Sequence, residues 1–268
     1  MIFEIFEYDF MRKAFAVGIL LAVIIPCVAV VMVLRRLSMI GDALSHTSLA
    51  GVAVGLIFNI NPVLAAVLSC ILAALGIEAV RKRLPRFSEM SIAIISSAGV
   101  GLAGILSGFV KNAAAFNSFL FGSIVAISDF EVALVVGISI AVLLTFILLY
   151  KELFFITFDE EAARLAGVPV KGINFVFTIL TAVTVSVAAR TVGALIVSSI
   201  MVVPVACAMQ FAKSYKQTVV YSVCFAVGFT VAGLFIAYYA GLKPGGTIVI
   251  IGVAVLALVF LLKGLFKK

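Results

Sequence analysis

The sequence predicts an all-α bundle of membrane-crossing helices, and three observations lead there. Hydrophobic residues make up 65% of the 268 and charged residues 12%, against roughly 25% charged in a soluble domain. The apolar residues come in unbroken runs of about 20, the length a helix needs to cross a bilayer core. The runs are continuous rather than alternating, which favours helices over a barrel.

In chain order, the runs at about 14–34, 39–58, 62–80, 90–110 and 130–150 each read as one span. Those at 172–189, 192–211, 218–240 and 246–263 complete a polytopic transmembrane bundle of about 8–9 spans. The count is open because only Arg190 and Thr191 separate 172–189 from 192–211. An apolar segment at 113–126 is too short to cross and reads as a short re-entrant or surface helix. The pairs Gly51/Gly55 and Gly104/Gly108 have the spacing that lets helix backbones approach closely in lipid. With no internal repeat evident, residues 1–268 read as a single transmembrane domain.

Charge suggests the orientation. With the loop at 151–171 on the cytoplasmic side, alternation puts fourteen of the nineteen basic residues inside, among them Arg35, Arg36, Arg81, Arg86, Lys267 and Lys268. Arg12, Lys13, Lys111, Arg190 and Lys243 fall outside. This is the positive-inside pattern. It predicts a cytoplasmic C-terminus and an external N-terminus, and an even span count would move the N-terminus inside. The net charge of +7 therefore belongs to membrane orientation, not to nucleic-acid binding. Glu4, Glu7 and Asp9 near the N-terminus are unlike a cleavable leader. The four cysteines, Cys27, Cys70, Cys207 and Cys224, fall in apolar runs without CxxC spacing and read as small buried hydrophobes.

Four features carry chemistry. The first is Gly41-Asp-Ala-Leu-Ser-His46, inside the second run, with the chain's one histidine. Four residues apart on a helix, Asp42 and His46 share a face. An aspartate at mid-membrane costs about 3 kcal/mol on insertion scales and usually has a partner or a task. A carboxylate beside an imidazole is half of a divalent-metal site. The bland alternative is a pair that glues helices together. Ser45 and Ser48 could add weak oxygen ligands or simply bond the helix backbone.

The second feature is the polar loop at 151–171. Asp159 can cap a short helix, and Glu160 and Glu161 suit the positive end of its dipole. Gly167 is a natural C′ residue and Pro169 a stop. That gives a surface helix of about two turns, either an ordinary connector or a docking element for a soluble partner. The third is the run containing Ser198, Ser199 and Pro204, where the proline is expected to kink or break the helix. Broken helices often line transport sites. The fourth is an absence. No GxxxxGK[ST] loop occurs, and Gly241-Leu-Lys-Pro-Gly-Gly-Thr247 has glycines in the wrong order. The chain is not expected to hydrolyse ATP itself or to act as an enzyme.

The run Arg35-Arg-Leu-Ser-Met-Ile-Gly-Asp-Ala-Leu-Ser-His-Thr-Ser-Leu-Ala-Gly-Val-Ala-Val-Gly55 resembles the signature of membrane permease subunits of bacterial zinc/manganese/iron ABC importers. Three further stretches resemble the family in order: Phe119-Leu-Phe-Gly-Ser-Ile-Val-Ala-Ile-Ser128, Phe158-Asp-Glu-Glu-Ala-Ala-Arg-Leu-Ala-Gly-Val-Pro169, and Val192-Gly-Ala-Leu-Ile-Val through Pro204-Val-Ala-Cys-Ala208. The chain departs at Ala50, where the family usually has proline, and at Cys207, where it often has threonine.

The resemblance implies a homodimer in the bacterial plasma membrane, two cytoplasmic ATPase subunits and an extracytoplasmic metal-binding protein. Asp42 and His46 match positions where metal is thought to pass. The cargo would be Mn²⁺, Zn²⁺ or Fe²⁺, with no resident cofactor. Residues 159–168 match the helix that docks on the ATPase, which would enlist Asp159, Glu160, Glu161, Ala163, Arg164, Gly167 and Pro169. Rival functions are a permease for chelated iron or a corrinoid, a proton-coupled secondary transporter using Asp42/His46 as a relay, and a non-transporting scaffold.

Overall fold

The computed structural model describes residues 4–83, 87–122 and 127–266. Arg86, Lys267, Lys268 and the end of the 113–126 segment, named above, lie outside them. The described residues form twelve α-helices, α1 to α12. After a 3₁₀ turn at Glu4–Phe6 come α1 (Asp9–Leu34), α2 (Ile40–Ile57), α3 (Pro62–Arg83) and α4 (Ser88–Ser107). The short α5 (Ala113–Phe121) precedes α6 (Asp129–Leu148), α7 (Tyr150–Phe158) and α8 (Glu160–Leu165). Then α9 (Val170–Ala188) runs into a π-helical turn at Ala189–Gly193, followed by α10 (Val197–Met209), α11 (Tyr215–Ala240) and α12 (Pro244–Phe266).

Among the described residues, eight helices are long and apolar enough to cross a membrane. The expected span at 192–211 is the exception, because α10 has only 13 residues. It nevertheless carries the chain from one end of the bundle to the other. Gly245, at the start of α12, sits against Val192. Lys263, near the end of α12, lies 5.2 Å from the Phe211 ring, just past α10. Between 192 and 211 the chain therefore travels the length of α12, and the described residues run the length of the bundle nine times.

Ion pairs mark the two ends. At one end Lys13 bonds Asp129 at 2.7 Å and Arg190 bonds Glu131 at 2.6 Å. At the other, Arg35 bonds Glu160 and Arg81 bonds Glu78, at 2.9 and 2.8 Å. The start of α1 and the end of α12 lie at opposite ends.

A break at Pro204 is not what the structure shows. α10 continues through Pro204, and α1 continues through Pro26. The interruption comes upstream, at 189–196, where Gly193 has φ +107°. Gly122 at the end of α5 has φ +74°, and the two glycines meet backbone to backbone. Phe119 and Leu120 carbonyls accept from the amides of Ala194 and Leu195, at 2.9 and 3.3 Å. A side chain at either glycine would strike the other strand of this joint. The short helix expected at 113–126 is thus α5, nine residues long and fastened to the break.

The Gly51/Gly55 expectation holds, with both glycines set against the start of α3. Among the described residues, Gly104 and Gly108 touch no neighbouring helix. Cys27, Cys70 and Cys207 are buried, but Cys224 is exposed beside Phe225 on α11.

Candidate functional site

α2 is enclosed by α3, α4, α9 and α10, and most of its side chains are buried. Glycines allow that enclosure. Gly41 faces Met201 and Ser198 of α10, and Gly99 of α4 lies against the His46–Thr47 backbone. A Cβ at Gly99 would stand 2.9 Å from the Thr47 nitrogen, so no larger residue fits without moving α4. Two bonds from α3 fix α2 further. Ser69 donates to the Thr47 carbonyl at 2.9 Å, and the Cys70 thiol donates to the Leu44 carbonyl at 3.2 Å.

Asp42 and His46 project from this packed helix on one face, as their spacing dictates. The Asp42 carboxylate lies 3.4 Å from His46 Nε2. That is a loose contact rather than a strong hydrogen bond, so lone pairs of both groups remain available. Their side chains are 33% and 23% exposed, between neighbours that are fully buried. Asp42 also lies in the first turn of α2, where the helix dipole favours a negative charge.

Among the described residues no third histidine, cysteine, aspartate or glutamate joins them. A first-row divalent ion takes four or more ligands. One chain offers two side-chain donors on an open face, half a coordination shell.

Other candidates divide. Ser45 is buried and spends its hydroxyl on the Gly41 carbonyl at 2.7 Å. Ser48 is buried too. Ser198 sits near Gly41, one residue from Asp42. Ser199 and Pro204 lie elsewhere, in a small cavity with Thr230.

The loop at 151–171 contains the expected capped helix. The Asp159 carboxylate accepts from the Ala162 amide at 2.8 Å. At the other end Gly167 has φ +86°, and the Val168 amide bonds the Ala163 carbonyl at 3.0 Å. This closes α8 as a Schellman motif. Ala163 is fully buried and faces the bundle, so it is not on the outer surface expected of it. Leu165 is 86% exposed and was not anticipated from the sequence. Its signal is a leucine within the most polar stretch of the chain.

Two ion pairs, each with a largely buried arginine, were also invisible in the sequence. Arg190, expected in an outer loop, is only 13% exposed, with its guanidinium 4.5 Å from the Phe119 ring centre. Arg35 bonds Glu160 and also donates to the Asn174 side-chain oxygen at 2.9 Å.

The model of the ABC 3 transport family matches residues 7–263. A "probable metal transport system membrane protein" of Treponema pallidum (strain Nichols) is 36% identical over 258 residues, 96% of each chain. The manganese import system permease protein ScaB of Streptococcus gordonii is 30% identical over 95% of this chain and 90% of its own. The fold matches a chain of the PsaBC complex from Streptococcus pneumoniae, solved with Fab, at a TM-score of 0.86 and 29% identity, covering 97% and 95% of the two chains.

Proposed function

Because this chain belongs to the ABC 3 transport family, as a transmembrane permease subunit of a metal-type ABC importer, we propose that Asp42 and His46 hold the divalent transition-metal ion in transit. The observation that supports this is the 3.4 Å carboxylate–imidazole pair, partly exposed on a helix that is otherwise enclosed. Oxygen and nitrogen donors without thiolate suit Mn²⁺, Fe²⁺ and Zn²⁺. The printed name of the streptococcal relative makes Mn²⁺ the first ion to test.

The chain acts as one transmembrane domain and pairs with a second copy, so that two half-sites complete one metal shell. Two carboxylates then neutralise one M²⁺, which lowers the cost of holding the ion away from water. The end bearing Arg35, Arg81 and α8 faces the cytoplasm, in keeping with the positive-inside rule. The N-terminus and the α5 joint face the outside of the bacterial plasma membrane. An extracytoplasmic metal-binding protein delivers the ion there. The exposed side of α8 docks on the cytoplasmic ATPase through Leu165 and its charged neighbours Glu160, Glu161 and Arg164.

The test is Mn²⁺ uptake into proteoliposomes holding permease and ATPase, with ATP inside and the Mn²⁺-loaded extracytoplasmic binding protein outside. Asp42→Asn and His46→Gln are expected to abolish uptake, while Asp42→Glu retains part of it because it keeps the charge. Wild-type transport by the Asn variant would remove Asp42 from the metal path and make the pair structural.

A further inference from the structure

We propose that Arg35 is the positioning residue that carries movement of the docking helix α8 to the metal-bearing helix α2. The inference rests on the assignments of α2 and α8 just made and adds the connection between them. Arg35 caps the C-terminus of α1, seven residues before Asp42. One guanidinium nitrogen bonds Glu160 of α8, and another bonds Asn174 of α9, both at 2.9 Å. A planar fork held at two points fixes the spacing of its two acceptors. The Arg35 side chain is 11% exposed. Burial, and then the Arg81 guanidinium, push its pKa below the ordinary value, against the pull of Glu160 and Glu78. A cation so placed depends on its acceptors remaining where they are.

The segment from Arg35 to Asp42 has little slack. The Leu37 amide bonds the Met32 carbonyl at 2.8 Å, and the Ile40 amide bonds the Leu37 carbonyl at 3.0 Å. α2 begins at Ile40, so Asp42 already lies in its first turn. A shift of Glu160 relative to Asn174 must therefore break the fork or move the foot of α2. Beside the fork is a cleft of about 630 Å³, lined by Arg36, Lys82 and Lys171 among others, which leaves room for that shift. Glu78 and Arg81 of α3, paired with each other at 2.8 Å, line the same cleft as Arg35.

The experiment measures Mn²⁺ uptake and ATP hydrolysis on the same proteoliposomes, giving ions moved per ATP. Arg35→Gln and Asn174→Leu are expected to lower that ratio at least fivefold while the ATPase still copurifies. Arg35→Lys, which keeps the charge without the fork, should fall in between. An unchanged ratio in Arg35→Gln overturns the proposal, and so does a proportional fall of uptake and hydrolysis. If Arg35→Gln does not assemble, the same criteria apply to Arg35→Lys and Asn174→Leu. Wild-type vesicles that hydrolyse ATP but accumulate none of Mn²⁺, Zn²⁺ or Fe²⁺ would instead overturn the cargo assignment. Normal ATPase binding by a Leu165→Glu permease would overturn the docking assignment. Neither of those results resembles the signature of a failed link.

Discussion

At Arg36 the backbone is left-handed, with φ +60°. Its amide bonds the Val33 carbonyl at 3.0 Å, so the residue takes the C′ place that glycine usually fills. An L-residue in that conformation costs about 1–2 kcal/mol. Arg36→Gly is therefore expected to stabilise the permease by up to about 1 kcal/mol, read as a higher unfolding midpoint in detergent. A lower midpoint would mean that the Arg36 side chain contributes more than the turn costs. Residues were legible in the sequence where chemistry and spacing coincided. Asp42 and His46 stood out because two polar groups at i and i+4 interrupt an apolar run. Arg35 and Glu160 did not, because 125 residues separate them and each looked like an ordinary flanking charge.

Among the elements, α8 and the joint between α5 and residues 189–196 give the sharpest expectations. Leu165 leaves α8 with a large apolar side chain in water. Burying a leucine on a partner contributes about 1.5–3 kcal/mol, so Leu165→Glu is expected to weaken ATPase copurification by tenfold or more. Insertion of the permease should be unaffected, since that side chain touches little of its own chain. Ala163→Glu is a poor test of docking, because it would drive a charge into the bundle. At the joint, Gly193→Ala is expected to cost about 1–3 kcal/mol from its backbone conformation alone, with further loss from the clash against α5. The check is a lowered unfolding midpoint, and an unchanged one would mean that the joint opens at little cost. Helix positions were mostly readable from the apolar runs, and the caps of α8 from Asp159 and Gly167. The break before α10 was not. A proline advertises a lost amide, so Pro204 drew attention, yet a helix enclosed by neighbours tolerates that loss. Gly193 looks like any other small residue in a membrane run, and its φ depends on α5 arriving from 70 residues earlier.

For the molecule as a whole, two donors per chain set the expected stoichiometry. A purified permease dimer trapped with cargo is expected to hold one Mn²⁺ per two chains by elemental analysis, and none after Asp42→Asn. One ion per chain would instead mean that each half-site is completed by water. Nine passes with eight long helices also bear on how the protein is made. A ribosome-bound chain offers its segments to the membrane in order, and a 13-residue helix such as α10 falls well short of the ~20 residues that insertion favours. The passage before it ends in Arg190, a charge that lipid does not welcome. Glu131, however, has been synthesised 59 residues earlier and already stands at the same end of the bundle. The arginine can thus be received by protein rather than by lipid, and α10 can enter between helices already placed. Biogenesis of this region is then a docking event instead of a partitioning one. Removing Glu131 should therefore strand the second half of the chain during synthesis, before stability of the finished fold is ever tested.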